Sequence, residues 1–177
     1  FTTTGHRPAT RQKLRLAAAA DGKLRALSHE TISHTSTVHE FVESCGSTSA
    51  ALYECPHVLI KQRLALADVG TPTPRRAPGA ASGMFALESA IDELAIAASM
   101  DPIDFRLRNI AARDASSEGA PWSSNHLAEC SRQARERFGW NARNPIPKSQ
   151  RDGDDWIGFG MATASWPTEG GEATVKA

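Results

Sequence analysis

Between Gln12 and Ala20 basic and apolar residues alternate, as in Lys13-Leu14-Arg15-Leu16. That is the pattern of a half-buried strand, whose side chains point to opposite faces in turn. Asp21-Gly22 is a turn dipeptide, and extended character resumes from Leu24 to Ile32, so the stretch predicts a β-hairpin. Val58 to Val69 is rich in aliphatic residues and predicts another strand. It ends at Gly70-Thr71-Pro72-Thr73-Pro74, where two prolines cannot donate to a ladder. After the small-residue loop Arg75 to Ser82 the period changes. Met84, Leu87, Ile91, Leu94 and Ala98 share one helical face, with Ser82 as the expected N-cap. Asp101-Pro102 starts a second helix: Asp101 caps it, Pro102 suits its first position, and Asp104 complements its positive end. Ile103, Leu107 and Ile110 form its apolar stripe. Beyond the polar loop Asp114 to Ser124, a third helix is expected, capped by Ser124, with Leu127, Cys130, Ala134 and Phe138 on one side. Asn141 to Asp155 reads as a linker. Trp156 to Ser165, with Gly158 and Gly160, reads as a strand closely approached by other backbone. Strands, then helices, then a strand make the fold class α+β, without an internal repeat.

Composition narrows the partners more than the fold. The 177 residues suit one domain or two small ones. Twenty basic residues balance twenty acidic ones, so the footprint of nucleic-acid binding is missing and no such partner is expected. No apolar run reaches the ~18 residues of a membrane span, so no membrane partner is expected either. The polar start at Phe1 is not a signal peptide and is what an internal piece would show. Cys45, Cys55 and Cys130 lack CxxC spacing and are expected to be reduced thiols in or near a core.

Four groups of residues are candidates for chemistry. His29, His34 and His39 are spaced by five, which puts all three on one face of neither strand nor helix, so solvated or capping histidines are expected rather than a metal site. Gly79-Ala80-Ala81-Ser82-Gly83 precedes a helix and offers N–H groups to an anion, although it is not a P-loop and a turn packing a helix onto a sheet explains it more simply. Glu88 and Asp92, four apart, predict a solvated acidic face. Trp122, Trp140, Trp156 and Trp166 are too scattered for a stacking platform and are expected to be partly buried anchors.

One order of segments is more specific than any of these: Arg76-Ala77-Pro78-Gly79, then Gly83-Met84-Phe85-Ala86-Leu87-Glu88, then Asp92-Glu93-Leu94-Ala95, then Asp101-Pro102-Ile103-Asp104-Phe105-Arg106-Leu107-Arg108-Asn109. It resembles the large, molybdopterin-binding subunit of the aldehyde oxidase/xanthine dehydrogenase family. Gly5-His6-Arg7-Pro8, Tyr53 to Pro56, Leu127-Ala128-Glu129-Cys130 and Gly158-Phe159-Gly160-Met161-Ala162 extend the resemblance over nearly the whole chain.

The resemblance implies an oxidoreductase that oxidises an aldehyde or hydroxylates an N-heterocycle with water-derived oxygen. It implies a molybdenum–molybdopterin cofactor, including the cytosine dinucleotide form common in bacterial relatives. Electrons would leave through [2Fe-2S] clusters and FAD on an iron–sulfur subunit and an FAD subunit, or on equivalent domains. Residues 1–112 would be the C-terminal part of a first molybdenum-cofactor-binding domain, 113–155 a helix and linker, and 156–177 the start of a second, with Ala173 to Ala177 its first strand. Cofactor binding would fall to Arg76, Ala77 and Gly79, and Pro78 would line the substrate channel. Purine-hydroxylating relatives carry a Phe at the position of Pro78, so its presence is similar to the branch of bacterial aldehyde oxidoreductases and isoquinoline 1-oxidoreductases. No catalytic residue and no direct metal ligand falls within the chain, because the family's base glutamate would lie beyond Ala177. The rest of the large subunit and a small-molecule substrate would be its remaining partners. The alternative is a non-catalytic truncated remnant, or a structural piece packing against a partner subunit.

Overall fold

The computed structural model describes residues 5–114, 119–122 and 124–166. Strand β1, Thr10–Ala18, and strand β2, Leu24–Ser36, form the expected hairpin, paired antiparallel from Thr10↔Ser33 to Ala18↔Leu24. Gly22 takes the positive φ of the turn, 81°. Strand β3, His57–Ala67, adds to the other side of β2 in parallel, so the sheet order is β1-β2-β3. The link from β2 to β3 passes through a single 3₁₀ turn, Ser47–Ala50.

Helix α1, Ala80–Ala97, lies across β1 and closes the core. Leu24 and Leu27 of the sheet meet Leu52, Tyr53, Met84, Leu87, Ile91, Ala95 and Phe105 there, with Leu14 and Leu16 packed alongside. The predicted stripe holds through Ile91. It then drifts, because a helix gains 100° per residue: Ala95 is buried, while Leu94 and Ala98 are so only partly. Two caps differ from expectation. Ser82 lies inside α1 and bonds back to the Gly79 carbonyl at 3.3 Å, while Gly79 is the N-cap with no side-chain cap of its own. At the third helix, α3, Leu127–Phe138, the N-cap is His126, and Asn125 Oδ1 accepts the Leu127 N–H at 3.1 Å.

Helix α2, Pro102–Asn109, starts as read: the Asp101 carboxylate accepts the N–H groups of Ile103 and Asp104 at 2.9 and 3.3 Å. Burial opposes the charge on Asp101, but bonds from Trp140, Arg143 and these two amides outweigh it and hold its carboxyl below the ordinary range. Its inward face is Ile103, Phe105, Arg106 and Asn109 rather than the expected aliphatic stripe. The polar members have partners. Asn109 donates to the Gly22 carbonyl at 2.9 Å and accepts the Leu24 N–H at 2.9 Å, pinning the hairpin turn to α2.

Glu88 and Asp92 are not a solvated face. Arg106 is fully buried and donates through Nε to Glu88 Oε2 at 2.8 Å and through Nη1 to Asp92 Oδ1 at 2.6 Å. The Tyr53 hydroxyl donates to Glu88 Oε1 at 2.6 Å. Burial first, then the Glu88 charge, drive the Tyr53 pKa far upward, so this hydroxyl stays protonated and remains a donor. The acidic stripe of α1 faces inward because α2 folds back on it.

Helix α3 turns most of its predicted apolar side outward, with Leu127 alone of that side packed against the core. Cys130 and Ala134 are exposed and Phe138 is 61% exposed, while Ser131 is buried. Arg135 pairs with Asp104 at 2.5 Å, so ionic docking on α2 sets the orientation of α3. The cysteines therefore divide: Cys45 is buried, Cys55 intermediate and Cys130 exposed, all as free thiols. His29 is buried too, contrary to a solvated role. Its Nδ1 lies 2.8 Å from Ser49 Oγ and its Nε2 2.8 Å from Gln12 Oε1. Trp140 is buried, whereas Trp156 and Trp166 are exposed.

Short pairs β4, Arg113–Asp114, with β5, Ala120–Pro121, and β6, Arg151–Asp152, with β7, Asp155–Trp156, flank α3. The strand expected from Trp156 to Ser165 is not formed: 157–166 has no regular structure, and Gly158 and Gly160 face open space. A strand needs a ladder partner, and none reaches it among the described residues. The segment is instead fastened to α1, where Glu88 Oε2 accepts the Thr163 N–H at 2.8 Å. Ala173 to Ala177 lies outside the described residues. On the far side of the sheet β3 is an open edge, with Leu59 47% and Leu66 71% exposed.

Two outcomes are expected for the full-length subunit. Arg106→Met strands a buried carboxylate and should destabilise by about 3–5 kcal/mol, read from the urea midpoint; a loss below ~1 kcal/mol would show the pair to be dispensable. Burial lowers the His29 pKa below the ordinary histidine value of 6.5. The neutral ring thus contributes stability that is complete above that value and is lost as pH falls through the folded pKa. His29→Gln should flatten part of the midpoint-against-pH slope below about pH 6.5, and an unaltered slope would contradict this.

Candidate functional site

The segment between β3 and α1 contains all four residues that the sequence singles out. Thr71 Oγ1 meets Ser36 Oγ at 2.7 Å, and the Thr73 N–H donates to the His6 carbonyl at 3.0 Å. The chain then emerges, so that Arg75 and Arg76 are exposed, Ala77 and Pro78 half-buried, and Gly79 buried. Ala77 has φ 54° and Gly79 φ 70°. Glycine adopts this region freely, but alanine does so at about 1–3 kcal/mol, so the loop stores strain that its surroundings must hold. Gly79 is required for space as well: a Cβ there would come within 2.5 Å of the Ser44 carbonyl oxygen. Gly83, one turn into α1, sits as tightly on the Cys45 backbone.

Of the two readings of Gly79 to Gly83, the packing turn fits better than the anion site, because its N–H groups are already bonded within the protein. The Gly79 N–H donates to Glu43 Oε1 at 2.8 Å. The N–H groups of Ala80, Ala81 and Gly83 donate to the carbonyls of Pro78, Ala77 and Gly79 at 2.7, 3.0 and 2.8 Å. A carboxylate of the protein already stands at the positive end of α1, where the helix dipole favours it. Arg7 completes the arrangement. Its Nη1 pairs with Glu43 Oε1 at 2.5 Å, and its Nη2 donates to the Arg76 carbonyl at 2.6 Å. Glu43 Oε2 has no hydrogen-bond partner among the described residues.

Arg76 points the other way. Its carbonyl is held by Arg7, while its guanidinium is exposed and makes no hydrogen bond or ion pair among the described residues. An arginine is charged at every physiological pH, so the loop presents a fixed positive group beside the small, half-buried Ala77 and Pro78. A bulky anionic group, such as a metal–dithiolene complex, fits that combination of charge and low relief. Cys45, beneath the loop, is no nucleophile: burial pushes its thiol pKa up, and its Sγ rests 3.3 Å from Ser82 Oγ. A groove of about 730 Å³, lined by Asp92, Ile96, Met100, Trp140, Ile157 and Phe159, lies at the opposite end of α1 from Arg76.

The sequence thus locates the loop but not its supports. Arg7 stands in the Gly5-His6-Arg7-Pro8 motif, which was a signal without an assigned role. Glu43 lies in a stretch with no motif, and nothing in the sequence distinguishes it.

Residues 1–110 match the family model described as the molybdopterin cofactor-binding domain. The chain is 40% identical over 159 residues to the aldehyde oxidoreductase molybdenum-binding subunit PaoC of Escherichia coli (strain K12), covering 90% of this chain and 22% of that protein. It is 28% identical over 158 residues to the putative xanthine dehydrogenase molybdenum-binding subunit XdhA of the same strain, covering 83% of this chain and 21% of that one. Among solved structures, the aldehyde oxidoreductase from Desulfovibrio gigas shares the fold with a TM-score of 0.69 at 24% identity, over 78% of this chain and 16% of that chain. Quinoline 2-oxidoreductase from Pseudomonas putida 86 does so with a TM-score of 0.68 at 20% identity, over 78% of this chain and 19% of that chain. The chain spans about a fifth of the length of these curated relatives, 21–22%. With a family model across most of its length and a 40% identical relative, it belongs to the molybdopterin cofactor-binding domain family.

Proposed function

We propose that this chain is the part of a molybdenum hydroxylase large subunit that presents Arg76 to the molybdenum centre. The enzyme would oxidise an aldehyde or hydroxylate an N-heterocycle with oxygen derived from water. The observation that carries this reading is the exposed Arg76 guanidinium, without a partner among the described residues, on a loop whose backbone is tied down from below. When bound, the cofactor supplies the redox and Lewis-acid chemistry. Arg76 contributes a preorganised positive charge against an anionic group, without the cost of reorienting water. Ala77 lets that group approach, and Gly79 shapes the turn that aims Arg76. Pro78 lines the substrate channel with a small, rigid apolar surface that cannot stack on a purine as an aromatic ring would.

The name of PaoC as an aldehyde oxidoreductase supports the aldehyde half of the reading. The base, the remaining cofactor contacts and the electron carriers would be supplied outside the chain. An iron–sulfur subunit with [2Fe-2S] clusters, an FAD subunit and the cytosine dinucleotide form of the pterin belong to the same proposal. So does the division into 1–112, 113–155 and 156–177 as two cofactor-binding parts around a helix and linker.

Arg76→Ala in the full enzyme should lower kcat by about 10²-fold, the cost of removing one preorganised electrostatic group, while molybdenum content and thermal midpoint stay near wild type. Arg75→Ala, in the neighbouring exposed position, should change kcat less than about twofold, since a surface charge away from the reacting group does little. Normal turnover of Arg76→Ala with intact metal content refutes the reading.

A further inference from the structure

Arg7 and Glu43 have no place in the chemistry just described, yet they form the tightest polar arrangement near it. We propose that they are positioning residues: a clamp, built from two remote segments, that sets the conformation of the Arg76–Gly79 loop and thereby aims Arg76. What Arg76 faces rests on the proposed function; that the clamp sets the loop does not.

The case rests on four bonds. Arg7 Nη2 donates to the Arg76 carbonyl at 2.6 Å and Nη1 to the Ala77 carbonyl at 3.5 Å. The same Nη1 pairs with Glu43 Oε1 at 2.5 Å, and that oxygen also accepts the Gly79 N–H at 2.8 Å. Three of the four loop residues are thus gripped by their backbone, which leaves the Arg76 side chain unencumbered. The grip comes from 69 and 70 residues away through Arg7 and from 36 away through Glu43, so it is tertiary rather than a local turn preference. A planar guanidinium can serve two successive carbonyls and a carboxylate at once; an ammonium on a flexible stem cannot hold that fork.

The loop also needs holding. Ala77, at φ 54°, is in a conformation that an alanine leaves unless it is over-determined. Glu43 is itself immobilised, with a side chain fully out of solvent, and the backbone at Ser44 and Cys45 is wedged beneath Gly79 and Gly83. Side-chain loss at Arg7 or Glu43 would therefore free the loop while leaving the core contacts of α1, at Leu87, Ile91 and Ala95, intact.

The test uses the full-length subunit in its assembled enzyme, with Arg7→Lys, Glu43→Gln, Arg76→Ala and the double variant Arg7→Lys/Arg76→Ala. The first readout is amide exchange of the cofactor-free subunit. Peptides covering 74–83 should exchange about tenfold faster in Arg7→Lys and Glu43→Gln, with peptides covering 87–97 unchanged. The second is kinetic: kcat should fall about tenfold with KM within about twofold, because misaimed groups cost turnover more than binding. The third is the cycle: on the Arg76→Ala background, Arg7→Lys should cost nothing further in kcat. Unchanged exchange at 74–83 in both single variants overturns the clamp. Faster exchange with losses that multiply in the double variant overturns its action through Arg76. If Glu43→Gln does not accumulate folded, Arg7→Lys, which keeps a cation beside Glu43, decides alone. A normal kcat for Arg76→Ala counts against the proposed function, while the exchange result still decides whether the clamp exists.

Discussion

A buried arginine must have its charge answered inside the protein, and Arg106 is completely buried. Apart from the Pro102 carbonyl of its own helix, what answers it comes from elsewhere in the chain: Glu88 and Asp92 from α1, and Tyr53 and Thr163 through Glu88. Burial opposes the positive charge, and Glu88 with its neighbours more than restores it, so the guanidinium stays charged. The crossing of α1 and α2 is therefore specified by hydrogen-bond geometry as well as by the fit of Leu87, Ile91 and Phe105. A hydrophobic patch alone would tolerate sliding by a turn; a guanidinium bonded at Nε, Nη1 and Nη2 does not.

At the start of α1 the same solution recurs with the signs arranged differently. Glu43 satisfies a helix-start N–H, Arg7 neutralises Glu43, and the surplus donors of Arg7 reach the loop carbonyls. The start and the middle of α1 are thus each tied by an ion pair, part-buried at Arg7–Glu43 and buried at Arg106–Glu88. Within Asp101–Asn109, Asp101 caps, Arg106 pairs and Asn109 pins the hairpin. Of the motif residues, Asp101, Arg106 and Asn109 hold the fold, whereas Arg76 in the loop before α1 turns its charge outward with no partner among the described residues.

What could be read from the chain follows from the range of the forces involved. The hairpin, the Asp101-Pro102 start and the first three turns of α1 were legible because turn chemistry, capping and periodicity are local. The parallel addition of β3 was not, since no local signal distinguishes an antiparallel from a parallel neighbour. The orientation of α3 was misread because ionic docking through Arg135 overrode a modest apolar stripe. Glu88 was misread as solvated for the same reason: its partner is 18 residues away on another helix. The candidate loop was legible only through family resemblance. Its supports are invisible to any local rule, because Arg7 and Glu43 become neighbours of Gly79 only after the sheet and α1 have assembled.

The bond between Tyr53 and Thr163 joins positions 110 residues apart. Closing so long a loop costs more chain entropy than bringing together Glu88 and Arg106, 18 apart. The returning segment is therefore the part of the polar centre whose closure costs most. Until that return, Glu88 lacks the backbone donor of Thr163. During synthesis a ribosome must have released the chain past Thr163 before this carboxylate has all its partners, so the centre at Tyr53 waits on a segment made 110 residues later.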